Sequence, residues 1–110
     1  MGASLTLQKL GPGFNERIYH NSLMISFDEA KLKYETEKEF VVKFNDKNVG
    51  SFSLDLLVEN RVVVEIKSLA GNIPDIFKYQ ILSYLKAANL KVGLLINFGN
   101  KSCQIKRFVL

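Results

Sequence analysis

Cysteine occurs once in the 110 residues, at Cys103, so no internal disulfide can brace the fold and no thiolate cluster can hold a metal. The fold must therefore rest on its core, and reducing cytoplasm is the expected compartment. Histidine is also single: His20 has no second His or Cys to complete a ligand set, is expected on the exposed side of its helix, and is assigned no role. Two prolines and seven glycines are too few for a linker-rich or low-complexity chain. No apolar run approaches the roughly 20 residues needed to cross a bilayer, and Met1-Gly2-Ala3-Ser4-Leu5 is not a charged start before an apolar stretch. Neither a membrane span nor a secretory leader is expected. Basic residues form no run either. They are scattered from Lys9 to Arg107, so a nucleic-acid surface would have to be assembled by folding.

What is present is an ordinary globular balance, 47% hydrophobic and 24% charged, which at this length is expected to give one domain over residues 1–110 with a single sizeable core. Fifteen Lys and Arg against eleven Asp and Glu leave a formal charge of +4, which permits a phosphate-backbone partner without demanding one.

Leu5, Leu7 and Leu10 suggest a short helix ending at Gly11-Pro12-Gly13. From Phe14 to about Ala30 the apolar positions recur at three- and four-residue intervals, predicting an amphipathic helix with Glu16 in its first turn. Residues 32–44 alternate, with Leu32, Tyr34, Thr36, Phe40, Val42 and Phe44 on one parity, which suits one strand or two short ones. Asn45-Asp46-Lys47-Asn48 reads as a turn. Ser51–Val58 and Arg61–Lys67 read as a hairpin of buried strands turning at Glu59-Asn60. Pro74 opens a second long helix running to Ala88, and 92–98 and 104–110 close the chain as strands.

The hairpin carries the chemistry. Asp55 interrupts one apolar strand, and Glu65 and Lys67 interrupt the next, although cores normally exclude unpaired charge. A turn at Glu59-Asn60 puts Asp55 within about one residue of lying opposite Glu65. The strand period of two puts Glu65 and Lys67 on one face. Oxygen-only ligands suit Mg²⁺ or Mn²⁺ rather than zinc. Such an ion could polarise a phosphodiester and acidify a bound water, while Lys67 orients that water or neutralises charge developing on the phosphate. The competing reading is a satisfied ion-pair cluster at a sheet edge, worth a few tenths to about 1 kcal/mol. A further carboxylate at Glu16 and an amide at Gln80, each in the first half of a predicted helix, weigh against it.

The segment Gly13-Phe14-Asn15-Glu16-Arg17-Ile18-Tyr19 resembles the GxxExxY signature, and Asp55 followed by Glu65-Ile66-Lys67 looks like the divergent D and ExK elements of the PD-(D/E)xK nuclease superfamily. Gln80-Ile81-Leu82-Ser83-Tyr84 is similar to the QxxxY element of its RecB-like branches. The three motifs occur in the right order, and the resemblance extends from about Leu10 to Leu110. It implies a restriction-endonuclease-like α/β (mixed α+β) core, a central mixed sheet flanked by helices. It further implies a Mg²⁺- or Mn²⁺-dependent nuclease in which Asp55 and Glu65 bind metal, with Glu16 contributing directly or through water. Lys67 would be the catalytic lysine and Gln80 would position water or substrate. Tyr84 would support its helix or touch the nucleic-acid backbone. Two features depart from the family pattern: the first helix is short, so that wall of the site is expected to be reduced or completed by another subunit, and Leu54 rather than Pro precedes the Asp. The expected partner is nucleic acid, DNA ahead of RNA, recognised by backbone shape, with a homodimer widening the surface. The alternative is a non-catalytic, nuclease-derived module that binds nucleic acid or a protein.

Overall fold

Asn45 and Asp46 adopt φ of 49° and 63°, and Glu59 and Asn60 adopt 55° and 54°. Two successive residues in this left-handed region make the tight turn whose twist matches that of paired strands. They join β1 (Tyr34–Phe44) to β2 (Lys47–Val58) and β2 to β3 (Val62–Lys67), both pairs antiparallel. The first turn is tighter than expected, and β2 therefore starts at Lys47 rather than Ser51. Helix α3 (Asp75–Ala88) carries the chain back so that β4 (Val92–Asn97) lies parallel to β3, and β5 (Gln104–Val109) returns antiparallel. One mixed sheet results, in the order β1-β2-β3-β4-β5. Helices α1 (Ala3–Leu10) and α2 (Glu16–Glu29) precede it. This is the mixed sheet with helices expected from the sequence. The computed structural model describes residues 3–110; Met1 and Gly2, where the expected domain begins, lie outside the described residues.

Local chemistry fixes the helix ends. Asn15 caps α2, its side-chain oxygen accepting from the Ile18 N–H, so Phe14 lies before the helix rather than in it. Asp75 follows Pro74, and α3 stops at Asn89 in the left-handed region.

The sheet is covered on both faces. On one, Leu7, Tyr19, Leu23 and Phe27 pack against Leu56, Val58, Val64, Ile66, Ile96 and Phe98. On the other, Ile81 and Leu85 pack against Leu54, Leu57, Val63 and Leu95. Each such side chain contributes roughly 1.5–3 kcal/mol of transfer free energy.

Strand parity breaks at one place. Leu56 and Val58 face α2, yet Leu54 faces α3; Tyr34 packs on the α2 side and Phe40 on the α3 side, although they share parity. The break falls at Glu37, whose φ is 54°, and at Asp55 across from it: the ladder pairs Thr36 with Leu56 and Lys38 with Leu54 but skips the pair between. Of the one strand or two short ones expected over 32–44, a single strand forms, but its even-numbered residues divide between two faces.

Beyond β3 and β4 the loops approach closely. Buried Asn97 accepts from the Leu69 and Gly99 N–H groups at 2.8 and 3.1 Å and donates to the Leu69 carbonyl at 2.9 Å. A Cβ on Gly99 would meet the Leu69 backbone at 2.2 Å. Backbone cannot yield as a flexible side chain does. Gly99→Ala is expected to cost about 1–3 kcal/mol and lower Tm by at least about 5 °C in a thermal melt; an unchanged Tm would show that the approach is not tight.

Candidate active site

The ladder between β2 and β3 is in register at Leu57–Val63 and Leu56–Val64, so the next facing positions are Asp55 and Glu65. There the strands part, and carboxylates take the place of carbonyls. The Asp55 N–H donates to Glu65 Oε1 at 3.3 Å, and the Ile66 N–H donates to Asp55 Oδ2 at 2.8 Å. Each acid thereby holds the other's strand.

This closeness has an electrostatic cost. Glu65 is 6% exposed, and its carboxyl is pushed far above the usual carboxylate range, first by burial, then by the charge of Asp55 and by a side-chain hydrogen bond to it; Lys67 offsets part of this. Beside Asp55, Glu65 holds its proton more readily than it ionises. Tyr84 feels the same field: burial, then Glu65 and Asp55, raise its hydroxyl.

Lys67 follows two residues after Glu65 on the same face, half-buried, with its ammonium 4.3 Å from the centroid of the Phe77 ring. Phe77, Gln80 and Tyr84 follow at helical spacing on α3, so half-buried Gln80 lies between the ring under Lys67 and the tyrosine near the acids. Tyr84 is fixed by stacking on Phe52, ring centroids 4.2 Å apart and planes 4° from parallel. Asp55, Glu65, Lys67, Gln80 and Tyr84 thus gather where α3 crosses the opening between β2 and β3.

Glu16 is not gathered with them. It is exposed, at the first position of α2, and among the described residues no group of three His, Cys, Asp or Glu side chains lies close enough to hold a metal ion. It stands one turn before His20 on the same helix stripe. Tyr19, the last residue of the GxxExxY-like segment, is fully buried: its hydroxyl donates to the Gly11 carbonyl at 2.6 Å and accepts from the Phe14 N–H at 3.2 Å, and its ring stacks on Phe98. It fastens the loop that leads to Glu16.

His20 corrects the sequence-based expectation. It is buried rather than exposed, and its Nε2 lies 2.9 Å from the Asp55 carbonyl oxygen. A carbonyl can only accept, so Nε2 carries the proton and Nδ1 faces Arg17 Nη1 at 3.5 Å as the acceptor. Arg17 pairs in turn with Glu37, the left-handed residue across from Asp55. This chain braces both strands where their faces reverse. The spacing of His20, Leu23 and Phe27 already held the signal, since it places the imidazole on the buried stripe.

A family model of the PD-(D/E)XK nuclease superfamily matches residues 2–108. The chain belongs to that superfamily. Among solved structures, the crystal structure of SSO0001 is similar, with a TM-score of 0.68 over 84% of this chain at 21% identity. That likeness is one of fold, and the chain matches 48% of the length of SSO0001. A search of curated protein sequences returns no match. PD-(D/E)XK nucleases typically use divalent metals, and the residues here fit one. Two carboxylates that cannot comfortably ionise side by side are a suitable donor set for a hard cation, which takes one or two carboxylates and keeps water on its other positions.

In metal-free protein, the raised Glu65 makes the folded state hold a proton that the unfolded chain has already lost. Stability should therefore fall as pH rises from the ordinary carboxylate range toward mildly alkaline values. Glu65→Gln, which mimics the protonated acid, is expected to flatten that dependence and, in EDTA at pH 8, to gain roughly 1–3 kcal/mol over wild type in chemical denaturation. Equal stability of the two proteins at pH 5 and again at pH 8 would remove the electrostatic conflict.

Proposed function

We propose that the chain acts as one metal-dependent nuclease domain that hydrolyses phosphodiester bonds in nucleic acid, DNA ahead of RNA. We place it in the GxxExxY branch with a RecB-like Gln80–Tyr84 element. The observation that carries this reading is the facing of Asp55 and Glu65 at the opening of the β2–β3 ladder, with Lys67 on the same face. Asp55 and Glu65 are the residues that would hold Mg²⁺ or Mn²⁺, with Glu16 reaching the site through water from the mouth of α2. When bound, the ion supplies Lewis-acid polarisation of a phosphate oxygen and acidifies a coordinated water.

The chain's own groups do the rest. Lys67 supplies a positive charge beside the acids, against which negative charge can develop on the phosphate oxygens. Its place over Phe77 leaves it half-buried, where its field is screened less than in bulk water. The Gln80 amide both donates and accepts, so it can hold an attacking water by one atom and a substrate oxygen by the other. The Tyr84 hydroxyl, kept protonated by burial and then by the neighbouring acids, remains a donor to phosphate. His20 keeps the Asp55 backbone in place from behind. No helix among the described residues is long and apolar enough to cross a membrane. We place the protein in the cytoplasm, as a homodimer that widens the surface offered to nucleic acid.

The test is cleavage of single- and double-stranded DNA and RNA in Mg²⁺, Mn²⁺ or EDTA, beside Glu65→Ala and Lys67→Ala proteins shown to fold. Metal-dependent cutting reduced at least about 100-fold in both variants is expected, as for loss of one charge-stabilising group in a water-poor site. Cutting that persists in EDTA or in Lys67→Ala, or no cutting of any substrate, would refute the catalytic reading.

A further inference from the structure

Beyond the reversal at Glu37 and Asp55, β1 and β2 continue as a two-stranded arm, and its α3-side face has a distinct chemistry. On β1, Lys38, Phe40 and Val42 are half-buried while Glu39, Val41 and Lys43 between them are exposed, so the even-numbered residues share the face that carries the site. Phe44 continues that row at the tip and is 68% exposed. Across the ladder, Phe52 faces Phe40 and Lys47 faces Phe44. A one-residue bulge at Val49, where the partner of Val42 is Gly50 and that of Lys43 is Asn48, brings Lys47 onto this face.

The rings run in sequence toward the acids. Phe40 and Phe52 lie 5.7 Å apart with planes 17° from parallel, and Phe52 stacks on Tyr84, whose hydroxyl feels the charges of Asp55 and Glu65. Lys38 stands 5.6 Å from the Phe40 ring centroid and is paired with Glu35 at the base of the arm. From Lys38 to Leu54 this face bears Lys38 and Lys47 and no carboxylate, because Glu39 points to the other side and Asp46 lies in the turn. An exposed aromatic beside a lysine, continuous with a half-buried row of rings that ends at the candidate catalytic cluster, is the chemistry that takes unpaired bases on ring faces and their phosphates on ammonium groups. A paired duplex keeps its base faces stacked and cannot offer them.

We propose that this face of the β1–β2 arm binds single-stranded nucleic acid by base stacking on Phe44 and leads the strand along Val42 and Phe40 toward Tyr84 and the acids. This rests on the nuclease reading for what happens at the end of the track, but not for binding itself.

The test uses the full chain in EDTA, which withholds the metal that the proposed cutting needs, and a fluorescein-labelled 15-nucleotide oligo-dT, with binding read by anisotropy. Phe44→Ala and Lys47→Ala change exposed residues, and thermal melts check that both variants fold. Phe44→Ala is expected to weaken binding roughly 5- to 100-fold, as loss of one stacked base does, while Phe44→Tyr retains it. Lys47→Ala should lower the slope of log affinity against log salt by about 0.7, and Lys43→Ala, on the opposite face, by less. A 15-base-pair duplex should bind independently of residue 44. Unchanged oligo-dT affinity in Phe44→Ala, or an equal loss for the duplex, would overturn the proposal. So would a concentration-dependent dimer in sedimentation that Phe44→Ala abolishes, since the face would then serve a second copy. Arm-dependent binding without cleavage in metal would leave this inference standing and refute the nuclease reading. Cleavage without arm-dependent binding would do the reverse.

Discussion

Two acids on neighbouring strands hold each other's strand, and much of the site follows from that exchange. Where a regular ladder would continue between Asp55 and Glu65, the Asp55 N–H is satisfied by one carboxylate and the Ile66 N–H by the other. The strands can therefore separate without leaving buried donors unpaired, which would otherwise cost about 1–3 kcal/mol each. The same arrangement places two like charges together in a poorly solvated position. That conflict is relieved by a proton or by a cation, and it is the physical reason to regard the pair as a binding site rather than an ion-paired ornament of the sheet.

The local opening is supported from both sides of the sheet. From the α2 side, His20 donates to the Asp55 carbonyl, and Arg17 links it to Glu37 on β1. From the α3 side, Tyr84 presses on Phe52 and Phe77 lies under Lys67. Behind them, Asn97 and Gly99 lock the segment after Lys67 to the end of β4. The reversal of faces at Glu37 and Asp55 has two results at once: it turns Asp55 into the opening, and it swings the arm's aromatic row onto the side that carries the candidate site.

Much of this was legible in the residues. Apolar runs on either side of Glu59-Asn60 set the hairpin register, and charges inside those runs marked Asp55, Glu65 and Lys67, because a buried charge needs a reason. The order of the GxxExxY-like, D…ExK and QxxxY elements then pointed to the superfamily to which the chain belongs. Three features were not legible, each for a physical reason. The role of His20 was one: its spacing with Leu23 and Phe27 puts it on the buried stripe, but its partner is a main-chain carbonyl, which leaves no trace in a sequence. Glu37 in the left-handed region is carried by no Gly or Asn, so nothing announced that one strand would present two faces. Glu16 sits in the expected helix turn, yet its exposed position keeps it out of the carboxylate pair.

The central claim is that the Asp55–Glu65 pair exchanges the proton held on Glu65 for a divalent cation. The most direct measurement is titration calorimetry of the full chain with Mn²⁺ at pH 7 in two buffers of different ionisation enthalpy, with Asp55→Asn and Glu65→Gln beside it. Uptake of Mn²⁺ with release of about one proton, lost in both variants, is the predicted result. No uptake, or uptake that persists in both variants, would contradict it.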